Sequence, residues 1–155
     1  DFLCIHCKNA FPKLHEFLKA NPDVQLQFQT WPLDGCKGSD KEPGVRCQLG
    51  IAAHCANLQG QGEKAAEYFF NHQEQFYQVT DLKKEVDTMA TTVGGLNMDT
   101  FNACYSDPQS LAMVRKQVEA GATAKLEGTP GFFINGKAYK GPPEPALFKQ
   151  ILNSL

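Results

Sequence analysis

The sequence has no long hydrophobic run and no excess of charge of one sign. Its 155 residues carry 15 lysines and arginines against 17 aspartates and glutamates, which gives a net charge of −2. A protein that binds nucleic acid through its charge needs a basic surface, so the composition argues against a nucleic-acid partner. No apolar stretch reaches the roughly 18 residues that a membrane-spanning helix requires. The composition is that of an ordinary globular protein.

The sequence also lacks an initiating methionine and a signal peptide, since it begins at Asp1. We therefore expect it to be a mature or excised segment of a longer protein. A chain of this length forms one domain that buries about 70% of the surface its unfolded form exposes. We predict a single domain over residues 1–155.

Cysteine is abundant, but a second closely spaced pair is missing. Apart from Cys4 and Cys7, the sequence has Cys36, Cys47, Cys55 and Cys104. Cys47 and Cys55 lie eight residues apart, whereas the ligands of a structural zinc site come in closer pairs. We predict neither a metal nor a cofactor. The even count of six indicates an oxidising compartment with structural disulfides, and a cytosolic protein with reduced core cysteines is the alternative.

Cys4 and Cys7 form a C-x-x-C motif immediately before a helix-like run. Two thiols at this spacing can close and reopen a small disulfide, and the unpaired N–H groups at a helix start stabilise a thiolate. We predict that Cys4 is a partly exposed nucleophile and Cys7 the resolving thiol. His6 lies between them as a polar neighbour that can stabilise the Cys4 thiolate further. The alternative is a purely structural disulfide.

A proline follows the motif inside the predicted helix, and a Thr-Pro pair lies near the other end of the chain. With His6 before the second cysteine, Pro12 and the pair Thr129-Pro130, the chain resembles the thioredoxin superfamily, and within it the disulfide-forming DsbA branch. The resemblance covers nearly the whole chain. It departs from that branch at Ile5, where proline is common.

The resemblance implies an α/β fold of the thioredoxin type with an inserted all-helical subdomain. Residues 1–32 and 128–155 would form the thioredoxin-like part, and residues 33–127 the helical insertion. The bond between Thr129 and Pro130 would be cis and would lie beside the active-site sulfurs. The family also has a strand before its C-x-x-C motif and a buried acidic group beneath its disulfide. Only three residues precede the motif here to supply them.

The function that the resemblance implies is thiol:disulfide exchange in the bacterial cell envelope. The protein would act as an oxidase on cysteine-containing substrate proteins in the periplasm or another oxidising compartment. Residues 31–36 look like DsbA-type domains that are fused to, or lie beside, a vitamin K epoxide reductase homologue. This similarity implies a quinone-linked membrane partner of that kind or a DsbB-like one, and attachment through a preceding segment. The alternatives are a disulfide reductase or isomerase, and a non-enzymatic binding module.

Hydrophobic periodicity predicts the remaining elements. A helix over residues 8–20 contains Pro12, and the alternation over residues 24–29 predicts a half-buried strand. Asp81 and Asp99 are candidate N-caps. Further helices are predicted over residues 46–56, 63–75, 81–93, 98–105, 108–126 and 145–152, and a β-hairpin over residues 132–139 around Asn135-Gly136.

The four cysteines outside the motif allow three pairings. If residues 46–56 form one helix, Cys47 and Cys55 are about 12 Å apart along its axis, beyond the limit of roughly 7 Å for a disulfide. We favour Cys36–Cys47 with Cys55–Cys104. The exchanged pairing, Cys36–Cys55 with Cys47–Cys104, stays open at this point.

Overall fold

The computed structural model describes residues 1–134, 136–140 and 144–153. Within them the chain forms eight helices and a two-stranded sheet. In chain order these are α1 (Ile5–Ala20), α2 (Val45–Leu58), α3 (Gly62–Asn71), α4 (Gln73–Tyr77), α5 (Leu82–Val93), α6 (Met98–Ser106), α7 (Pro108–Thr123), β1 (Gly131–Ile134), β2 (Lys137–Lys140) and α8 (Pro145–Asn153). No helix in these described ranges has the length and apolar character needed to cross a bilayer.

Helix α2 forms the centre of the core. It packs against α3, α5, α6 and α7, and most of its residues from Cys47 to Ala56 are buried. A helix that is apolar nearly all round is stable only when other helices cover it. Gly50 lets α7 come close, since a Cβ at this position would lie 3.3 Å from a methyl group of Val114. We refer to the helices α2–α7 as the helical block.

Two disulfides hold the helical block together. Cys36 is bonded to Cys47 with a Cα–Cα distance of 5.1 Å, and Cys55 to Cys104 with a distance of 5.8 Å. This is the pairing that the sequence favoured. The first bond ties the loop before α2 to the start of that helix, and the second joins α2 to α6.

Several helix boundaries differ from the prediction, and α1 begins at Ile5, three residues before its predicted start. The helix predicted over residues 63–75 is two helices that meet at His72, and the one predicted to end at residue 126 ends at Thr123. Asp81 caps α5 by accepting a hydrogen bond from the backbone N–H of Lys84. The cap of α6 is Asn97 and not Asp99, which lies in the first turn of that helix.

The predicted strand over residues 24–29 is wrong. These residues form neither a helix nor a strand, and Leu26 and Phe28 are 45% and 41% exposed. Alternation of apolar and polar residues gives a strand only if a neighbour receives the backbone hydrogen bonds. No strand in the described part of the chain pairs with this segment.

The C-terminal part of the described chain forms a small second layer. β1 and β2 pair antiparallel, Gly131 opposite Lys140 and Ile134 opposite Lys137, as a hairpin. The turn prediction at Asn135 lies outside the described residues. Helix α8 covers the hairpin and α1 through Phe148, whose ring lies 5.6 Å from that of Phe132 and 4.7 Å from that of Phe17.

Candidate active site

The two motif cysteines lie at the beginning of α1. Cys4 is the N-cap residue, with an extended backbone (φ −92°, ψ 121°), and Cys7 lies in the first turn. Both are free thiols, and they are 9% and 7% exposed. The exposure of Cys4 is smaller than predicted, because residues from the far end of the chain cover its sulfur. This position exposes the Cys4 sulfur to the positive end of the helix dipole.

Thr129 lies against the Cys4 sulfur, and Pro130 lines the same cleft as Cys7. The peptide bond between Thr129 and Pro130 is cis, and the Cys4 thiol donates a hydrogen bond of 3.4 Å to the Thr129 carbonyl. The hydroxyl of Thr129 is buried and has no hydrogen-bond partner among the described residues. The fold therefore brings together four of the predicted site residues from two distant segments. Cys4 and Cys7 come from one segment and Thr129 and Pro130 from the other, and Cys4 and Thr129 are 125 positions apart.

The surroundings of the two sulfurs shift their pKa values in opposite directions. Burial disfavours the thiolate of Cys4, but hydrogen bonds from Cys7 and the neighbouring Thr129 hydroxyl, which is unpaired among the described residues and available to donate to the ionised sulfur, outweigh burial. The pKa of Cys4 therefore lies below its ordinary value of 9.0. Burial raises the pKa of Cys7 above the same value. Cys4 is thus the thiol that ionises first, which fits the predicted assignment of nucleophile and resolving thiol.

In the reduced protein we expect Cys4 to be alkylated with a pH midpoint below 9.0 and Cys7 with a midpoint above it. Each rate rises with pH, because only the thiolate reacts. Thr129→Val removes the hydroxyl and keeps the side-chain shape, so it should raise the Cys4 midpoint by about one unit, the scale of one hydrogen bond to a charged group. Iodoacetamide rates at a series of pH values, assigned by peptide mass spectrometry, measure both midpoints.

The control for this experiment is Thr88→Val, which removes an exposed hydroxyl that bonds to the Lys84 carbonyl. It should leave the Cys4 midpoint unchanged. If Cys7 titrates first, the assignment of the two thiols is wrong. If Thr129→Val and Thr88→Val behave alike, the Thr129 hydroxyl does not stabilise the Cys4 thiolate.

His6 is exposed, and its ring makes no hydrogen bond or ion pair within the part of the chain that the structure describes. It borders a cleft of about 400 Å³ together with Thr129, Pro130 and Tyr139. His6 acts on Cys4 through its backbone, which hydrogen-bonds to the Cys4 sulfur and lowers the Cys4 pKa. A role of the imidazole ring in stabilising the thiolate stays a prediction.

The structure adds a buried acidic group that sequence reasoning missed. The side chain of Asp1 is fully buried. One carboxylate oxygen accepts hydrogen bonds from Leu3 N at 2.7 Å and from Arg46 at 2.6 Å, and the other from Leu33 N at 2.7 Å. The signal in the sequence is an aspartate two residues before Leu3, a spacing at which aspartate bonds to its own backbone. The partners at Leu33 and Arg46 leave no such local pattern.

A cleft of about 590 Å³ lies beside the dithiol, between α1 and α7. Cys7, Thr129 and Pro130 line one part of it, and residues 25–31 line another. Phe133 from β1 also lines the cleft and is 50% exposed. Its apolar wall suits an unfolded or extended polypeptide. Among the described residues, no three histidine, cysteine or acidic side chains come together as a metal-binding group.

Comparison with known proteins places this geometry in a family. A family model described as thioredoxin matches residues 1–154. The chain belongs to that thioredoxin family. The crystal structure of a thioredoxin-like oxidoreductase from Silicibacter pomeroyi superimposes with a TM-score of 0.73 over 99% of this chain and 81% of the other, at 20% identity. The fold is thus thioredoxin-like, mostly helical with a small sheet, and agrees with the predicted α/β class with inserted helices.

Two curated relatives of this thioredoxin-family chain are much longer proteins. It is 26% identical over 142 residues to the Na(+)/H(+) antiporter NhaA 3 of Salinispora tropica, and 24% identical over 141 residues to NhaA 1 of Salinispora arenicola. These alignments cover 92% and 91% of this chain, but the chain spans only 20% of the length of either relative. The similarity therefore concerns one segment of each antiporter.

Proposed function

We propose that the protein is a thiol:disulfide oxidoreductase that exchanges a Cys4–Cys7 disulfide with cysteine-containing proteins. The observation that carries this proposal is the Cys4 sulfur at the N-cap of α1, against Thr129, with its pKa lowered while that of Cys7 is raised. A dithiol with one stabilised thiolate is the reacting group of disulfide oxidoreductases. Membership of the thioredoxin family supports the same reading.

In the oxidising direction, a substrate thiolate attacks the Cys4 sulfur of the closed disulfide. The Cys4–Cys7 bond breaks, the Cys7 sulfur leaves and takes up a proton, and a mixed disulfide joins Cys4 to the substrate. A second substrate thiolate then attacks the substrate sulfur of this bond and releases Cys4 as a thiolate. Two electrons pass from the substrate to the Cys4–Cys7 pair, and a substrate disulfide forms.

The lowered pKa of Cys4 favours this direction. It makes Cys4 a good leaving group in the second step, and it stabilises the reduced form of the pair. Because stabilising the reduced form raises the reduction potential, the disulfide becomes a stronger oxidant. We therefore propose an oxidase of the DsbA type that introduces disulfides into secreted proteins. A reductase, which works in the reverse direction, requires a much lower reduction potential.

The compartment and the electron partner belong to the proposal as well. Two further disulfides support an oxidising, extracytoplasmic location such as the periplasm. The similarity of residues 31–36 to DsbA-type domains found with vitamin K epoxide reductase homologues supports a quinone-linked membrane enzyme, of that kind or DsbB-like, as the partner that reoxidises Cys4 and Cys7.

The test is the reduction potential of Cys4–Cys7 in glutathione redox buffers, read by mass after acid quenching and alkylation. We expect a value near about −120 to −150 mV, at the oxidising end of the scale on which thioredoxin lies near about −270 mV. A value at or below about −250 mV would reverse the direction and make the protein a reductase. Failure of Cys4 and Cys7 to exchange with glutathione at all would favour a binding module whose cysteines are structural.

A further inference from the structure

The four residues that lead into α1 form a turn that distant side chains and backbone groups hold at three places, the Asp1 carboxylate and the carbonyls of Phe2 and Leu3. We call residues 1–4 the entry turn. Its backbone closes with a hydrogen bond of 3.1 Å from Cys4 N to the Asp1 carbonyl. The carboxylate of Asp1 accepts hydrogen bonds from Leu3 within the turn and from Leu33 outside it. The Asp1 side chain is therefore one of the points at which the entry turn is joined to the rest of the fold.

Side chains of the helical block hold the same turn from three positions. Arg46, in the first turn of α2, forms an ion pair of 2.6 Å with the Asp1 carboxylate. Gln73, which is 2% exposed, donates a hydrogen bond of 2.8 Å to the Phe2 carbonyl. The hydroxyl of Tyr77 donates to the carbonyl of Leu3. The bond from Gln73 lies within the core, where an unpaired carbonyl would be costly.

Within the entry turn, Asp1 contacts both motif cysteines. The backbone of Asp1 bonds to Cys4 N, and its nitrogen lies 3.6 Å from the Cys7 sulfur. The partners of Asp1 are themselves held in place, because Arg46 precedes Cys47 and Leu33 lies three residues before Cys36, the two cysteines of one disulfide. A movement of the Asp1 carboxylate therefore moves the backbone that sets the place of the Cys4 sulfur.

We propose that Asp1 and Arg46 are positioning residues for the Cys4 thiolate: their partly buried ion pair fixes the entry turn so that the Cys4 sulfur stays at the N-cap of α1 against Thr129. The proposal rests on the proposed exchange function of Cys4. A purely structural ion pair would stabilise the fold without affecting the chemistry of the sulfur, and a purely electrostatic one would act through charge alone. Each of these two alternatives predicts a different change in the pH midpoint of Cys4 alkylation from the one that positioning predicts.

The test compares Asp1→Asn, Arg46→Gln and the variant that carries both, in the reduced protein. Asparagine offers one acceptor oxygen where the carboxylate offers two, so Asp1→Asn breaks part of the contact to the backbone. The double variant removes both charges and leaves the net charge of the pair unchanged at zero. The readout is the pH midpoint of Cys4 alkylation. We expect this midpoint to rise by at least about half a pH unit in all three variants.

The control is Val114→Ala, a core substitution in α7 that lowers stability without touching the entry turn. It should leave the Cys4 midpoint at its original value. The proposal is overturned if the Asp1 and Arg46 variants also lose stability with no change in midpoint. It is equally overturned if Asp1→Asn lowers the midpoint, Arg46→Gln raises it and the double variant restores it, because that pattern is charge without positioning.

These outcomes are separate from those that concern the function itself. The unaltered protein is first equilibrated with glutathione, and absence of exchange there contradicts the proposed function. The alkylation midpoints are measured without glutathione and depend only on the surroundings of the Cys4 sulfur. An unaltered protein that exchanges, combined with variants whose midpoints do not move, overturns the role of Asp1 and Arg46 and leaves the function standing.

Discussion

Replacing Cys4 by serine is expected to abolish disulfide exchange. A hydroxyl cannot form a mixed disulfide, and no other free thiol in the described structure has a lowered pKa. Removal of a covalent nucleophile lowers turnover by several orders of magnitude, so we expect a loss of on the order of a thousandfold or more. The measurement is oxidation of a reduced two-cysteine peptide by the glutathione-oxidised protein, followed by mass spectrometry.

Cys7→Ser distinguishes the two thiols in the reverse assay, in which the reduced protein is mixed with a disulfide between two single-cysteine peptides. It leaves the attacking sulfur of Cys4 in place and removes the thiol that resolves the mixed disulfide. We expect a stable adduct between Cys4 and a peptide in Cys7→Ser and none in Cys4→Ser. Adducts on Cys7 in the Cys4→Ser protein would show that the two roles are exchanged.

Loss of the disulfide between Cys55 and Cys104 is expected to have the largest effect on stability. This bond closes 49 residues of chain, whereas Cys36–Cys47 closes 11. On a loop-entropy estimate, removing the longer crosslink lowers the free energy of unfolding by about 4 kcal/mol and the shorter one by about 3 kcal/mol. Urea denaturation of Cys55→Ala/Cys104→Ala and of Cys36→Ala/Cys47→Ala, both with an intact Cys4–Cys7 disulfide, measures the two losses.

Ser110→Ala provides the matched control for the longer crosslink. The Ser110 hydroxyl lies 3.3 Å from the Cys104 sulfur and 3.9 Å from that of Cys55, so the variant changes the surroundings of the bond and keeps the bond. Ser110→Ala should lower the free energy of unfolding much less than Cys55→Ala/Cys104→Ala does. Equal stability of the unaltered protein and Cys55→Ala/Cys104→Ala would contradict the prediction, as would a larger loss for the shorter loop.

The parts of the site that could be predicted from the sequence are those that a short motif specifies. The C-x-x-C spacing predicts a dithiol at a helix start, and the Thr129-Pro130 pair is recognisable from the family resemblance. The length of the predicted helix over residues 46–56 excludes a bond between Cys47 and Cys55, but it leaves two pairings open, and the structure decides between them. Each of these inferences needs only local geometry or a known pattern.

The parts that could not be predicted depend on contacts between distant segments. Gln73 bonds to the Phe2 carbonyl across 71 positions, and nothing near Gln73 marks it for that role. The pair of Asp1 with Arg46 is similarly remote, with 45 positions between the two residues. The false strand at residues 24–29 has the same origin, because a period of two describes the chain itself and not the neighbour that a strand needs.

Residues 25–29 have no pairing partner among the described residues, and this makes them a region of the fold that opens easily. Their backbone amides donate no hydrogen bond within the described residues, so their exchange with solvent requires no unfolding. Helix α2 is the opposite case, since it is buried at the centre and crosslinked by a disulfide at each end. Protection against hydrogen exchange then spans the whole range, from almost none at residues 25–29 to the global value in α2. The wall of the cleft beside Cys7 is therefore the part of the fold that opens most easily, while the helix that carries Arg46 remains rigid.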